Sequence, residues 1–386
     1  MILKKLFRKL KSNYKREGSS ISLNDENIED LIGEKRLLIN GPKIVVVGGG
    51  TGLSTMLRGL KYYTSNITAI VTVGDDGGGS GDLREDLGIL PPGDIRNCIL
   101  ALADTEPLME ELLQYRFQDG KLKNQSFGNL FLAAMNGISD NFEDAVQKMS
   151  SVLAVTGKVL PVTLEDMKLT ALLANGNIVE GESQIPGEAI RQKSKIKELM
   201  IEPKEAEALE DAVIAIKEAD AIILGPGSLY TSIVPNLLIK GISESIVKSE
   251  AMKMYVSNIM TQPGETDDFN VSNHIEILEK YGGKGIVDYV IANNSDITRE
   301  VKKRYSKDNS RLVLIDRQKI KKLNVNIIED ALFKISKGYV KHDPELLAEV
   351  IFKTILDKRL LYDEKRILEY MYLSKRIRGK SILNSI

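Results

Sequence analysis

The chain has a single cysteine, Cys98, only two histidines and no excess of either charge: 53 Lys plus Arg stand against 54 Asp plus Glu, a formal net charge of -1 at pH 7. Each scarcity excludes something. One thiol cannot close an intramolecular disulfide, and with so few histidines it makes no Cys/His zinc site, so the chain reads as a protein of a reducing, cytoplasmic compartment. Balanced charge leaves no global basic field to hold nucleic acid. No apolar run approaches the roughly 20 residues of a membrane span, and none serves as the core of a signal peptide. What is present is ordinary for a folded protein: 386 residues, 42% hydrophobic and 28% charged, apolar enough to bury a core. At about 150 residues per domain, the length allows two domains or one large α/β domain with additions.

The N-terminus differs from the rest. Leu3, Leu6, Phe7 and Leu10 fall at helical spacing among Lys4, Lys5, Arg8, Lys9, Lys11, Lys15 and Arg16. This predicts a basic amphipathic helix over 1–17, either solvated or self-docked, or in peripheral contact with an anionic membrane or a partner. Residues 18–41 read as a polar linker. An α/β domain is expected over 42–335, and a C-terminal helical segment over 336–386.

Inside that domain, the β-branched run 44–47 predicts a buried parallel strand that stops at glycines, followed by a helix over 53–61 and a strand over 67–73. Such a β-loop-α-β unit, with a right-handed crossover, begins an α/β sheet. Helices are expected over 94–103, 106–117, 128–135 and 142–153, a helical insertion. Segments 159–162, 168–174 and 177–182 are separated by turn residues and read as a small antiparallel β excursion. A helix over 203–218, strands over 221–224, 253–256 and 287–292, and a late helix over 345–357 complete the pattern.

The chemistry lies in the turns. Gly48-Gly49-Gly50-Thr51-Gly52-Leu53-Ser54 joins the first strand to the first helix. Glycines there permit close backbone approach, and the N–H groups of a helix N-terminus seat a phosphate. Leu53 stands where a dinucleotide fingerprint has its last glycine and no P-loop lysine follows, which leaves a nucleotide or phosphosugar turn, or a plain glycine-rich one. Asp75-Asp76-Gly77-Gly78-Gly79-Ser80-Gly81 then sets two carboxylates at the end of a parallel strand, suited to a divalent cation, a ribose hydroxyl or the capping of a surface loop. In Pro91-Pro92-Gly93-Asp94-Ile95-Arg96-Asn97, Asp94 sits at an expected helix N-cap. If the loop folds back, Asp76 and Asp94 share one Mg²⁺ while Arg96 faces a phosphate. Gly225-Pro226-Gly227-Ser228-Leu229-Tyr230-Thr231-Ser232 repeats the strand-turn-helix logic with hydroxyls that cap a helix or bond phosphate. A polar stretch over 257–267 follows another strand, and strand ends of this kind converge on one cleft. Cys98 reads as a core residue and His274 as a helix-surface or N-terminal one, so nucleotide or phosphate handling is favoured over triad hydrolysis.

In this order, the motifs at Gly48 to Ser54, Asp75 to Gly81, Pro91 to Asn97, Gly225 to Ser232 and Met260 to Asp267 resemble the YvcK-like gluconeogenesis factors of the CofD-like superfamily. The resemblance implies a doubly wound, mostly parallel Rossmann-like fold. It also implies a regulatory factor, not an enzyme, that binds UDP-sugars such as UDP-N-acetylglucosamine and links gluconeogenic carbon metabolism to peptidoglycan synthesis and cell shape. The 2-phospho-L-lactate transferase branch implies the alternative, a Mg²⁺-dependent transfer of a phosphometabolite group from a nucleotide-activated donor, with Asp76 and Asp94 as metal ligands and catalytic candidates. On the first reading Gly49, Gly50, Thr51, Gly52, Asp76 and Asn97 meet the nucleotide or diphosphate. Gly227, Ser228 and Thr231 add polar contacts, and Phe269 and Arg304 correspond to residues of the UDP-sugar site. Phe269 stands where the family commonly has tyrosine, and Asp82 where it has a basic or neutral residue. A homo-oligomer, and partners among cell-wall or metabolic regulatory proteins, are expected; no cofactor beyond Mg²⁺ is.

Overall fold

A computed structural model describes residues 38, 39 and 41–359; the amphipathic segment over 1–17, nearly all of the linker and the last part of the chain lie outside the described residues. Strand β1 (Ile44–Gly48) is buried along its whole length, as befits a run with no polar face. Helix α1 (Gly50–Leu60) follows after one residue and buries Leu53, Met56, Leu57 and Leu60. Strand β2 (Ile67–Val71) completes the unit. Five helices intervene next: α2 (Gly78–Leu87), α3 (Gly93–Leu102), α4 (Pro107–Gln114), α5 (Phe127–Gly137) and α6 (Phe142–Val152). After them comes β3 (Lys158–Pro161), parallel to β2.

Strands β4 (Lys168–Leu173), β5 (Ile178–Glu180) and β6 (Ile196–Glu202) form a separate antiparallel sheet in the order β5-β4-β6, with α7 (Ile185–Arg191) before β6. Helix α8 (Glu210–Glu218) returns to β7 (Ala221–Leu224). One π-helical turn (Leu229–Ile233), α9 (Val234–Leu238) and α10 (Ile242–Lys248) lead to β8 (Met252–Val256). Helix α11 (Val271–Gly282) leads to β9 (Tyr289–Asn293), and α12 (Arg299–Ser306) with α13 (Arg317–Lys322) to β10 (Asn326–Asp330). A hairpin of β11 (Phe333–Ser336) and β12 (Tyr339–His342) precedes α14 (Pro344–Arg359), which packs along α1 and sets Phe352 4.9 Å from the ring of Tyr63.

The main sheet has seven strands in the order β10-β9-β8-β7-β1-β2-β3, every neighbouring pair parallel. From β1 the chain winds outward through β2 and β3, then returns to the other side of β1 and winds outward through β7 to β10. The winding therefore reverses between β1 and β7. Connections leaving two such strands diverge to opposite faces and open a crevice at their carboxyl ends, where doubly wound sheets take their ligands.

Three local expectations are corrected. Segment 159–162 belongs to the parallel sheet as its edge strand, with Pro161 at the strand end where a missing N–H costs least; the third antiparallel strand is instead β6. The helix expected from Pro203 begins at Glu210, because 206–208 is extended and exchanges backbone hydrogen bonds with Lys240. The glycines after Asp76 open α2 instead of remaining a loop. The hairpin spans the 335/336 position at which the C-terminal segment was expected to begin. Among the described residues, no helix is long and apolar enough to cross a membrane.

Candidate functional site

A cavity of about 540 Å³ opens at the carboxyl ends of β1 and β7. Its floor is made by the two glycine-rich turns. Gly49, Gly50, Thr51 and Gly52 come from one side, Pro226, Gly227, Ser228, Thr231 and Ser232 from the other. The turns meet backbone to backbone: a Cβ at Gly52 would stand 2.6 Å from the Pro226 carbonyl oxygen, so no larger residue fits. Asn236, fully buried, donates from Nδ2 to the Gly48 carbonyl at 3.2 Å and ties α9 to the end of β1.

The loop after β8 closes the third side. Gln262 Nε2 donates to Ser228 Oγ at 2.6 Å, and Asn258 Nδ2 donates to Gln262 Oε1 at 2.8 Å. Glu265, buried behind them, accepts from the Tyr230 N–H at 3.3 Å and the Thr231 hydroxyl at 3.4 Å, holding the start of the π-helical turn. The hairpin and α12 form the outer wall through Tyr305, Tyr339, Val340, Lys341 and His342.

Helix α1 carries no acidic residue in its first turn, and its N-cap is Gly49, which has no side chain to offer. Asp94 supplies the missing acceptor from α3, taking the Gly50 N–H at 2.6 Å. Asp94 is thus not the cap of its own helix, whose N-cap is Pro92. Burial, reinforced by Asp75, pushes the Asp94 carboxyl up to about 6. Glu182, arriving from the antiparallel sheet, is raised by burial and then by Asp75 to about 8, and burial raises Glu265 to about 7. Asp94 and Glu182 line the cavity and Glu265 lies behind its wall, and all three hold protons more tightly than free carboxyl groups.

Of the residues picked from sequence, Gly49, Gly50, Thr51, Gly52, Asp94, Gly227, Ser228 and Thr231 meet at this cavity. Asp76, Asn97, Phe269 and Arg304 do not line it. Asp76 turns away and accepts from the Ser183 N–H at 2.9 Å, so it does not share a site with Asp94; the carboxylate that faces Asp94 is Asp75. The expected Asp76–Asp94 pair thus does not fit a shared Mg²⁺, and among the described residues no three His, Cys, Asp or Glu side chains group to hold a metal ion. Arg96 is engaged by Ser126 Oγ and by Asn97 Oδ1, not by the cavity. Phe269 packs edge-on to His274, at 5.5 Å between ring centres. Arg304 donates from Nη1 to the Gly338 carbonyl at 3.0 Å and covers the Tyr339 ring. His274 is fully buried in α11, not on its surface, with Nδ1 2.9 Å from the Asn270 carbonyl. Sequence reasoning passed over Glu182 and the hairpin residues, and it recognised the motifs of Asp75 and Gln262 without singling out either residue. Gln262 lay within a recognised motif, whereas Glu182 and the hairpin come from separate elements that only the fold brings in.

Comparison with known proteins accords with this architecture. The family model described as 2-phospho-L-lactate transferase CofD matches residues 44–333. A Clostridium acetobutylicum protein that carries a gluconeogenesis-factor name is 63% identical over 93% of this chain and 80% of its own length. The Bacillus subtilis gluconeogenesis factor is 45% identical over 80% of this chain and 97% of its own. The crystal structure of a Bacillus halodurans protein of the UPF0052 family superposes with a TM-score of 0.76 at 44% identity, covering 80% of this chain and 98% of that one. With its reversed parallel sheet and paired glycine turns, the chain belongs to the CofD family and, within it, to the YvcK-like gluconeogenesis-factor group.

Proposed function

We propose that the chain is a regulatory factor that binds a nucleotide sugar of the UDP-N-acetylglucosamine kind and links gluconeogenic carbon metabolism to cell-wall synthesis and cell shape. The observation that carries this reading is the cleft at the reversal point. Two glycine turns bring backbone N–H groups, the N-terminus of α1 and the hydroxyls of Ser228 and Thr231 to one cavity of about 540 Å³. The names of the relatives support the metabolic half of the proposal.

A second reading, transfer of a phosphometabolite group from an activated nucleotide, is favoured by the family description and by Asp94, whose carboxyl of about 6 faces the cavity. Calorimetric titration with UDP-N-acetylglucosamine, UDP-glucose and GDP, with and without Mg²⁺ and with each mixture assayed for product, separates the two. The regulatory reading expects UDP-sugar binding without product. Turnover in any mixture, abolished by Asp94→Asn, would replace it with the transferase.

A further inference from the structure

Strand β12 lies beyond residues 44–333 that the family model matches, yet four of its residues line the cleft. Lys341 is the only Lys or Arg among the lining residues, and it shares the cavity with Asp75, Asp94 and Glu182. His342 is more singular. It is 9% exposed and lines the cavity, and its buried Nε2 has no hydrogen-bond partner. Burial drives the ring to about 4, against an opposing pull from the Ser257 backbone, so it is neutral at pH 7. A neutral imidazole has one donor and one acceptor nitrogen, so Nε2 takes either role with the tautomer. A desolvated ring nitrogen without a partner is what a ligand's hydroxyl, able both to donate and to accept, would satisfy.

The hairpin is held for this purpose from below. The Val340 N–H donates to the Tyr305 hydroxyl at 2.9 Å, Arg304 holds the Gly338 carbonyl at the turn, and Tyr305 meets Tyr339 edge-on at 6.4 Å. We propose that β12 is the ligand-selecting wall of the cleft, with Lys341 binding a phosphate oxygen and His342 Nε2 hydrogen-bonding a hydroxyl on the sugar half of the same ligand. This inference rests on the nucleotide-sugar reading above. It assigns the selection to a segment outside the part matched by the family model.

Calorimetry on the full chain tests it with UDP and UDP-N-acetylglucosamine. Lys341→Ala, a change at an exposed position, should weaken both ligands about tenfold and flatten the salt dependence, with Lys341→Arg restoring most of the affinity. His342→Phe should weaken UDP-N-acetylglucosamine and spare UDP. Should the His342 variant fail to fold, as judged by its thermal melt, the lysine pair alone decides. Unchanged affinity in Lys341→Ala, with the unaltered chain binding normally, overturns the inference and leaves the nucleotide-sugar reading standing. Failure of the unaltered chain to bind either ligand overturns both.

Discussion

At Gly50 the first N–H of α1 already has a partner, the Asp94 carboxylate at 2.6 Å, so a negative charge stands where an anionic ligand would approach the helix. Protonation relieves that conflict. Asp94 titrates near 6, Glu265 near 7 and Glu182 near 8, all raised chiefly by burial from ordinary values of 3.8, 4.5 and 4.5. The folded chain therefore holds protons that the unfolded chain releases. The stability these groups contribute is fully present below about pH 4 and is lost as pH rises through 6, 7 and 8. Two outcomes are expected. Affinity for a UDP-sugar, measured calorimetrically from pH 8 to pH 6, should rise, and Asp94→Asn should flatten the part of that rise centred near 6. Melting temperature should fall over the same interval as pH is raised, and less so in Glu182→Gln.

Arg304 changes role at this scale. Its guanidinium holds the hairpin turn at Gly338, where φ is +80° and any added Cβ would meet the Arg304 side chain. Gly338→Ala is thus expected to weaken ligand binding as much as Arg304→Ala does, although residue 338 carries no charge. A titration that shows the alanine at 338 to be neutral would return Arg304 to direct ligand contact.

Among the elements, β1 and β7 were legible because both are short, wholly apolar runs cut off by glycine, and the turn chemistry after each named the cleft. Strand β3 was not, because Val159-Leu160-Pro161 sits in sequence beside antiparallel strands and nothing local tells an edge of the large sheet from the small one. Asp75 and Asp76 could not be separated either. Adjacent side chains in an irregular turn follow no period, and only the Ser183 N–H, 107 residues away, decides which of them turns aside. Helix α14 was expected, but its partner was not. It packs along α1, with Phe352 almost fully buried beside Tyr63. Phe352→Ala should cost about 3–5 kcal/mol in chemical denaturation, the range for a buried aromatic truncated to alanine, and loosen the helix whose N-terminus floors the cleft.

For the whole molecule, one topological fact organises the rest: the winding reverses between β1 and β7. It brings together turns 175 residues or so apart in sequence and leaves the sheet's carboxyl edge open to an antiparallel sheet on one side and the hairpin on the other. The turns were legible as strand ends converging on one cleft, and the family resemblance implied a doubly wound sheet, but the place of the reversal, between β1 and β7, is set by the strand order. The side walls were illegible for the opposite reason, because Glu182 and His342 reach the cavity from elements whose sequences carry no ligand signature. The central claim is that the cleft at the reversal point is where a nucleotide sugar binds. A crystal structure of the chain with UDP-N-acetylglucosamine tests it most directly. The account predicts the diphosphate against Gly50, Thr51 and Gly52 and beside Ser228, with β12 over the sugar; a ligand seated away from the β1 and β7 turns would contradict it.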